Sequence, residues 1–319
     1  MAFELTGRWI WDSWYIDDGS NFHMFFLNAP RDPGDPEARH RHARIGHAVS
    51  QDLVDWTDLG PAIEPGDSGA FDETATWTGS VVEDPAGGWV LFYTGARLAD
   101  PGSRVSVQSI GTARSDDLVT WTKADEPHVE ADSRWYETAS TSADGGEAWR
   151  DPWVFRRDGA WHMLITATAR EGADPLQRGV IGHATSSDLH AWQVQPPLTR
   201  PGGFSQLEVA NLASLDDRMV LLFSSFATDL HGDRAGSEGG IWAIDLDHGV
   251  ADIDLTAAYL VLPERYYCGH LVHDRTGRPV MMAFEGTGAD GRFRGRIADP
   301  IPLRRGGSGR IEAVESPWR

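Results

Sequence analysis

One kind of apolar strand occurs five times along the 319 residues: HMFFLNA at 23–29, WVLFYTG at 89–95, WHMLITA at 161–167, MVLLFSS at 219–225 and PVMMAFE at 279–285. Each copy follows a turn rich in Asp, Gly or Asn (DDGSN, EDPAGG, RRDG, DD and DRTG), which is the chemistry of a β-hairpin. Ahead of each turn stands another short apolar segment: WDSWYI, WTGSVV, RDPWVF, EVANLASL and CGHLVH. Three units continue through IGHAV, IGTAR or IGHAT into a Ser-x-Asp-Leu-x-x-Trp run, at 50–56, 115–121 and 186–192. A unit of this kind cannot bury its faces alone, so its copies must pack on one another. Four antiparallel strands repeated five times predict an all-β fold, a five-bladed β-propeller whose closure leaves few free sheet edges. No linker or shift of composition divides the repeats, and residues 1–319 read as a single domain.

Positions that recur in the repeat are expected to be structural. Trp56, Trp121 and Trp192 should pack between blades, and Asp52, Asp117 and Asp188 should cap turns. The histidine-rich run RHRHARIGHA, 41–48 with its flank, resembles a metal-ligand cluster. His47, however, aligns with Thr112 and His183, so no metal is expected there.

Composition narrows the partners. With 28 Lys and Arg against 48 Asp and Glu, a formal charge of −20 repels phosphate backbones and anionic lipid, which argues against nucleic acid and against membranes. A neutral or cationic substrate fits better, and a small neutral saccharide is the expected partner. One cysteine, Cys268, forms no internal disulfide. The start MAFELTGRWI has no basic and then apolar leader, and no stretch approaches the length of a membrane span, so a cytoplasmic location is the expectation. Fourteen tryptophans are many for this length, and their flat faces suit the C–H surfaces of sugars.

Positions where the repeat is asymmetric carry the chemistry. Eleven residues before His23, His162 and Met219 stand Asp12, Asp151 and Glu208; the same count from Val90 and Val280 gives Gly79 and Gly269. The first strand of each propeller blade lines the axis. Three carboxyl groups should therefore meet at one mouth of the channel, above a floor left open by the glycines. Glycoside hydrolysis needs two such groups flanking the scissile bond, and crowding raises the pKa of at least one of them.

Around these acids stand WDSW (11–14), WTGS (77–80), WRDP (149–152) and QLEVAN (206–211). Together they resemble the fructosyl-processing glycoside hydrolases of clan GH-J, most closely family 68, with family 32 related. The resemblance implies that Asp12 is the nucleophile of a retaining reaction, that Glu208 is the general acid and base, and that Asp151 stabilises the oxocarbenium-like transition state. It implies that Arg150 binds fructosyl hydroxyls, that Trp11, Trp14 and Trp77 wall the pocket, and that Thr78, where the family has serine, donates to Asp12. Gln206, Tyr267 and His270 complete the expected substrate-binding set. No metal and no organic cofactor are implied; the substrate class is a small fructoside such as sucrose.

Two departures bear on the reaction. Val209 stands where family 68 has an arginine after the general acid, which favours hydrolysis or short transfer over polymer synthesis. Gln206 replaces an acid common two residues before Glu208. Two other readings compete: an inverting arabinofuranosidase or xylosidase of the family 43 type, and a non-catalytic carbohydrate-binding propeller.

Overall fold

A computed structural model describes the chain except for Met1, Pro101, Arg104, residues 143–145, 247–248, 251–252, Ala289 and 315–319. Its strands form five antiparallel sheets in chain order, which are the five blades. The inner strands are Arg8–Asp17, Ala75–Glu83, Trp149–Arg157, Glu208–Leu215 and Tyr266–His273. Each pairs with the apolar repeat strand that follows it, across the turns read from the sequence. The first four blades have four strands each. In the fifth, the third strand is broken: Phe293–Ile297 pairs with the far half of Pro279–Thr287, and Ile301–Arg305 pairs with the near half. The ring closes where Phe3 exchanges backbone hydrogen bonds of 2.9 and 3.0 Å with Ile297. No helix of the described residues is long and apolar enough to cross a membrane.

The Ser-x-Asp-Leu-x-x-Trp runs are one turn built three times. Asp117 Oδ1 accepts from the backbone N–H of Val119 and Thr120 at 2.8 and 2.7 Å, and Ser115 Oγ donates to the same oxygen. Leu118 adopts a left-handed φ of 63°, and its carbonyl accepts from Trp121 Nε1 at 3.0 Å. Asp52 and Asp188 repeat this pattern. The turn aims the indole at a neighbouring blade: Trp121 meets Phe25 edge-on at 5.6 Å, and Trp192 meets Phe92 in the same way. Trp56 differs, packing on Tyr15 of its own blade. His47 and His183 also occupy one repeat position, each paired through Nε2 with a histidine of the adjacent strand, His23 and His162.

Every inner strand carries a β-bulge near the mouth. Register shifts fall between Trp11 and Ser13, Trp77 and Gly79, Glu208 and Asn211, and Tyr267 and His270; in the third blade the shift lies opposite Asp151 and Pro152. A bulge inserts one residue, bends the strand and re-aims side chains. The residues just before the bulge are Trp11, Trp77, Arg150, Glu208 and Tyr267. Those in it are Asp12, Thr78, Asp151, Val209 and Cys268, the last three with left-handed φ of 59°, 52° and 53°.

This register corrects the alignment made from spacing. Asp12 and Asp151 do occupy one level, but Glu208 stands one position earlier, at the level of Arg150. Val220, rather than Met219, is the fourth-blade counterpart of His23, since it pairs with Ala213 as His23 pairs with Ile16. In the second and fifth blades the hairpin is one residue longer, so Thr78 and Cys268 take the places assigned to Gly79 and Gly269. Those glycines open no floor. A Cβ on Gly79 would lie 1.9 Å from the Phe92 carbonyl oxygen, and one on Gly269 would strike Ile241 and Met281.

Candidate active site

A cavity of about 430 Å³ opens at the mouth. All five residues preceding the bulges line it, together with Asp12, Thr78 and Asp151 from the bulges. The three carboxyl groups thus share one chamber although they belong to three blades. Single-residue bulges bring this about: a regular strand would send Asp12 and Trp11 to opposite faces.

Each acid has its own partners. Thr78 Oγ1 donates to Asp12 Oδ2 at 2.6 Å. Asp151 Oδ2 accepts from Thr166 Oγ1 at 2.8 Å and from the Val209 N–H at 3.2 Å, with Arg150 Nε 3.7 Å away. Glu208 is clamped on both oxygens: Arg150 Nη2 donates to Oε1 and the Tyr267 hydroxyl donates to Oε2, both at 2.6 Å. Arg150 Nη2 also donates to Gln206 Oε1 at 2.8 Å.

These surroundings divide the protons. Burial, with the charge of Asp151, pushes Asp12 up to about 7 against the donation from Thr78. Burial lifts Asp151 to about 6, opposed by Arg150. Burial would lift Glu208 too, but the charge of Arg150 and the two donors outweigh it, and Glu208 titrates below its ordinary range. Burial first, with repulsion between the acids adding to it, therefore raises Asp12 and Asp151, not Glu208. Tyr267 is driven well above its usual value by burial and by the adjacent carboxylate, so its hydroxyl remains a donor.

Of the residues expected around a substrate, Trp11, Trp77, Thr78, Arg150 and Tyr267 line the cavity. Three do not. Trp14 shares the sheet face of Trp11 but lies deeper, fully buried and stacked on Phe25 against the second blade. His270 sits farther down the axis between Tyr15 and Trp153, where burial holds it down to about 3 and its imidazole is neutral. Gln206 stands behind Arg150 and orients it.

Sequence reasoning missed Glu37, Arg39 and His40, which reach the cavity from the 3₁₀ turn Pro36–Arg41, and Phe226, which stacks on Tyr267 at 4.1 Å. All four lie in connections between second and third strands, which open at the mouth. The available signal was length: the connections in the first and fourth units are long, and long loops on a rigid scaffold carry function. The carbonyl of His40 accepts from Trp77 Nε1 at 2.8 Å, tying this turn to the cavity wall.

Comparison with known proteins fits this geometry. The family model "Glycosyl hydrolases family 32 N-terminal domain" matches residues 13–287. Asp12 stands one residue before that span. Two Arabidopsis thaliana proteins are similar in sequence. One is the β-fructofuranosidase, insoluble isoenzyme CWINV2, 34% identical over 151 residues, covering 46% of this chain and 22% of that protein. The other is isoenzyme CWINV6, 30% identical over 190 residues, covering 59% and 32%. The matched stretches thus span about a third or less of these relatives. Among solved structures, inulosucrase from Halalkalicoccus jeotgali bound to kestose superposes with a TM-score of 0.80 at 20% identity, covering 99% of this chain and 91% of that one. A Bombyx mori GH32 β-fructofuranosidase gives 0.71 at 18%, covering 99% and 64%. Likeness at such identities speaks for the fold.

Proposed function

Since the chain belongs to glycosyl hydrolase family 32, we propose that it is a retaining β-fructofuranosidase cleaving sucrose or another small fructoside through a fructosyl-enzyme intermediate. The observation that carries the proposal is the shared cavity of Asp12, Asp151 and Glu208, each acid held by different donors. In the first step an Asp12 carboxylate oxygen forms a bond to the anomeric carbon of fructose. The bond to the glycosidic oxygen breaks as that oxygen takes a proton from Glu208. In the second step Glu208, now a carboxylate, removes a proton from water, whose oxygen displaces Asp12 and releases fructose. Asp151 and Arg150 bind the fructosyl hydroxyls and oppose the positive charge that develops on the ring.

The reaction needs Asp12 ionised and Glu208 protonated, whereas the protein groups around the two acids favour a proton on Asp12. The active species carries one proton across the pair, in its less populated arrangement. Hydrolysis is favoured over chain extension because Val209 is buried in a left-handed bulge and presents no hydrogen-bonding group to a second sugar. Incubation with sucrose, raffinose, inulin and levan oligomers tests the proposal. Wild type should release fructose with retained anomeric configuration, and Asp12→Ala should bind sugar but turn none over. If no fructose appears from any of the four, the proposal fails.

A further inference from the structure

A second cavity, about 710 Å³ in volume, lies on the mouth face beside the first. Its chemistry is unlike the rest of the molecule. Arg31, Arg292, Arg294 and Arg296 line it, against a single lining carboxylate, Glu4, in a chain whose formal charge is −20. Three of these arginines alternate in GRFRGR (291–296), at the broken third strand of the fifth blade, and the fourth follows the second strand of the first blade. Carboxylates satisfy two of them: Arg294 pairs with Asp290 at 3.0 Å, and Arg296 with Glu285 at 2.6 Å and Glu4 at 3.4 Å. Arg31 and Arg292 make no ion pair among the described residues. The Arg31 guanidinium lies over the Trp9 ring, 4.3 Å from its centroid, which holds it in place and leaves its donors free.

This cleft neighbours the catalytic cavity across one wall of side chains. Trp9 lines the cleft and Trp11 lines the catalytic cavity, two residues apart on one face of the same strand, or about 7 Å along it. The partition between them is Arg39, buried and facing the catalytic side, with its guanidinium 4.2 Å from the centroid of Phe293, which lines the cleft. Phe293 also meets Trp9 edge-on at 5.3 Å.

We propose that this cleft is an anion site for a phosphoryl group, held chiefly by the forked donors of Arg31 and Arg292 beside the catalytic cavity. Planar guanidinium forks match phosphate oxygens in pairs, and Arg31 and Arg292, neither in an ion pair among the described residues although Arg292 lies in the field of Asp290, bring two positive charges to one dianion. The sugar side of such a ligand would rest on the Trp9 and Phe293 rings. The phosphoryl group has two sources, a phosphate ester on the leaving sugar or free inorganic phosphate. The first deepens the fructosidase reading and rests on it; the second stands without it.

The test is isothermal titration of the whole protein and of the double variant Arg31→Gln/Arg292→Gln with glucose 6-phosphate, glucose and inorganic phosphate at matched ionic strength. These titrations are paired with sucrose hydrolysis in the presence of each ligand. Wild type should bind a phosphoryl ligand at least about tenfold more tightly than glucose, and the variant should lose that preference. Sucrose turnover by the variant should stay within about twofold of wild type, because neither residue lines the catalytic cavity. If glucose 6-phosphate binds best and competes with sucrose, the source is the leaving sugar. If inorganic phosphate binds equally well without competing, the source is the free ion. The proposal is overturned if neither phosphoryl ligand binds wild type up to about 10 mM, or if both bind the variant unchanged. Absence of sucrose turnover with binding intact would count against the fructosidase reading and leave the cleft assigned.

Discussion

Arg150 and Glu208 precede the bulges of adjacent blades, and their side chains meet at 2.6 Å, so Arg150 is committed to an ion pair with Glu208 inside the cavity. Replacing Arg150 with Gln removes the charge that holds Glu208 below its ordinary range and also opposes the rise of Asp151. Both acids then become more basic. The alkaline limb of kcat/KM should move to higher pH, while kcat/KM at its optimum falls by about 100-fold through lost contacts to the fructosyl ring. Lysine at this position should restore the limb but little of the rate, because it keeps the charge without the fork. A pH profile of all three proteins on sucrose checks this, and an unmoved limb in Arg150→Gln contradicts the account.

Asp12 and Glu208 share one working proton whose loss depends on both sites: Asp12 sets it near 7 in wild type, and Glu208 adds to it once Arg150 no longer holds it down. In wild type, kcat/KM should decline on the alkaline side with an apparent pKa of about 7, its maximum lying on the acid side. Thr78→Val deletes the donor to Asp12 Oδ2, and that donor is what restrains the rise of Asp12. The alkaline limb should shift upward and kcat/KM should fall by about tenfold, the worth of one hydrogen bond to a charged group. Thr78→Ser should retain both values.

The same burial that raises Asp12 makes its stability contribution depend on pH in the opposite sense from an ordinary ion-paired carboxylate. Its folded pKa of about 7 lies above the usual carboxylate value of about 3.9. The contribution is therefore complete at low pH, where both states hold the proton. It is lost as pH rises through 7, where the folded state must give up a proton inside the cavity. Asparagine has no proton to lose. The Tm of Asp12→Asn should exceed that of wild type at about pH 8, and the difference should close toward about pH 4. A thermal melt series across that range decides it, and a gap that widens on acidification would falsify the assignment.

The propeller was legible because its signal is additive: five copies of a hairpin outweigh any local ambiguity. Asp12, Asp151 and Glu208 were legible as a set, but their register was not, since hairpin loops of different length displace a count made along the chain. Bulges cannot be read from spacing either, which is why Gly79 looked equivalent to Asp12 when Thr78 is the equivalent residue. Trp14 and His270 misled for a related reason. Both stand on inner strands beside true cavity residues, and only the register shows that they point into the wall and the deep axis. The residues of the Pro36–Arg41 turn carry no periodicity at all; their place at the mouth follows from which end of the blade their loop caps.

The turn centred on Asp117 separates stability from catalysis, since it lies at the outer edge of the second blade and its hydrogen bonds and ring contacts among the described residues reach no cavity residue. Its carboxylate accepts from the backbone N–H groups of Thr120 and Val119 and from Ser115, which together hold its pKa down to about 2. A depressed carboxylate stabilises above its unfolded pKa and loses that contribution as pH falls through 2, so at neutral pH the turn is at full strength. Asp117→Ala frees two N–H groups and loosens the placement of Trp121 on Phe25, one of the contacts that join the first two blades. The expected result is a Tm lower by about 1–3 °C at pH 7, with kcat/KM on sucrose unchanged. Asn at this position keeps one acceptor oxygen and should recover most of the loss. If Asp117→Ala instead lowers kcat/KM while leaving Tm alone, the turn reaches the active site by a route that these contacts do not contain.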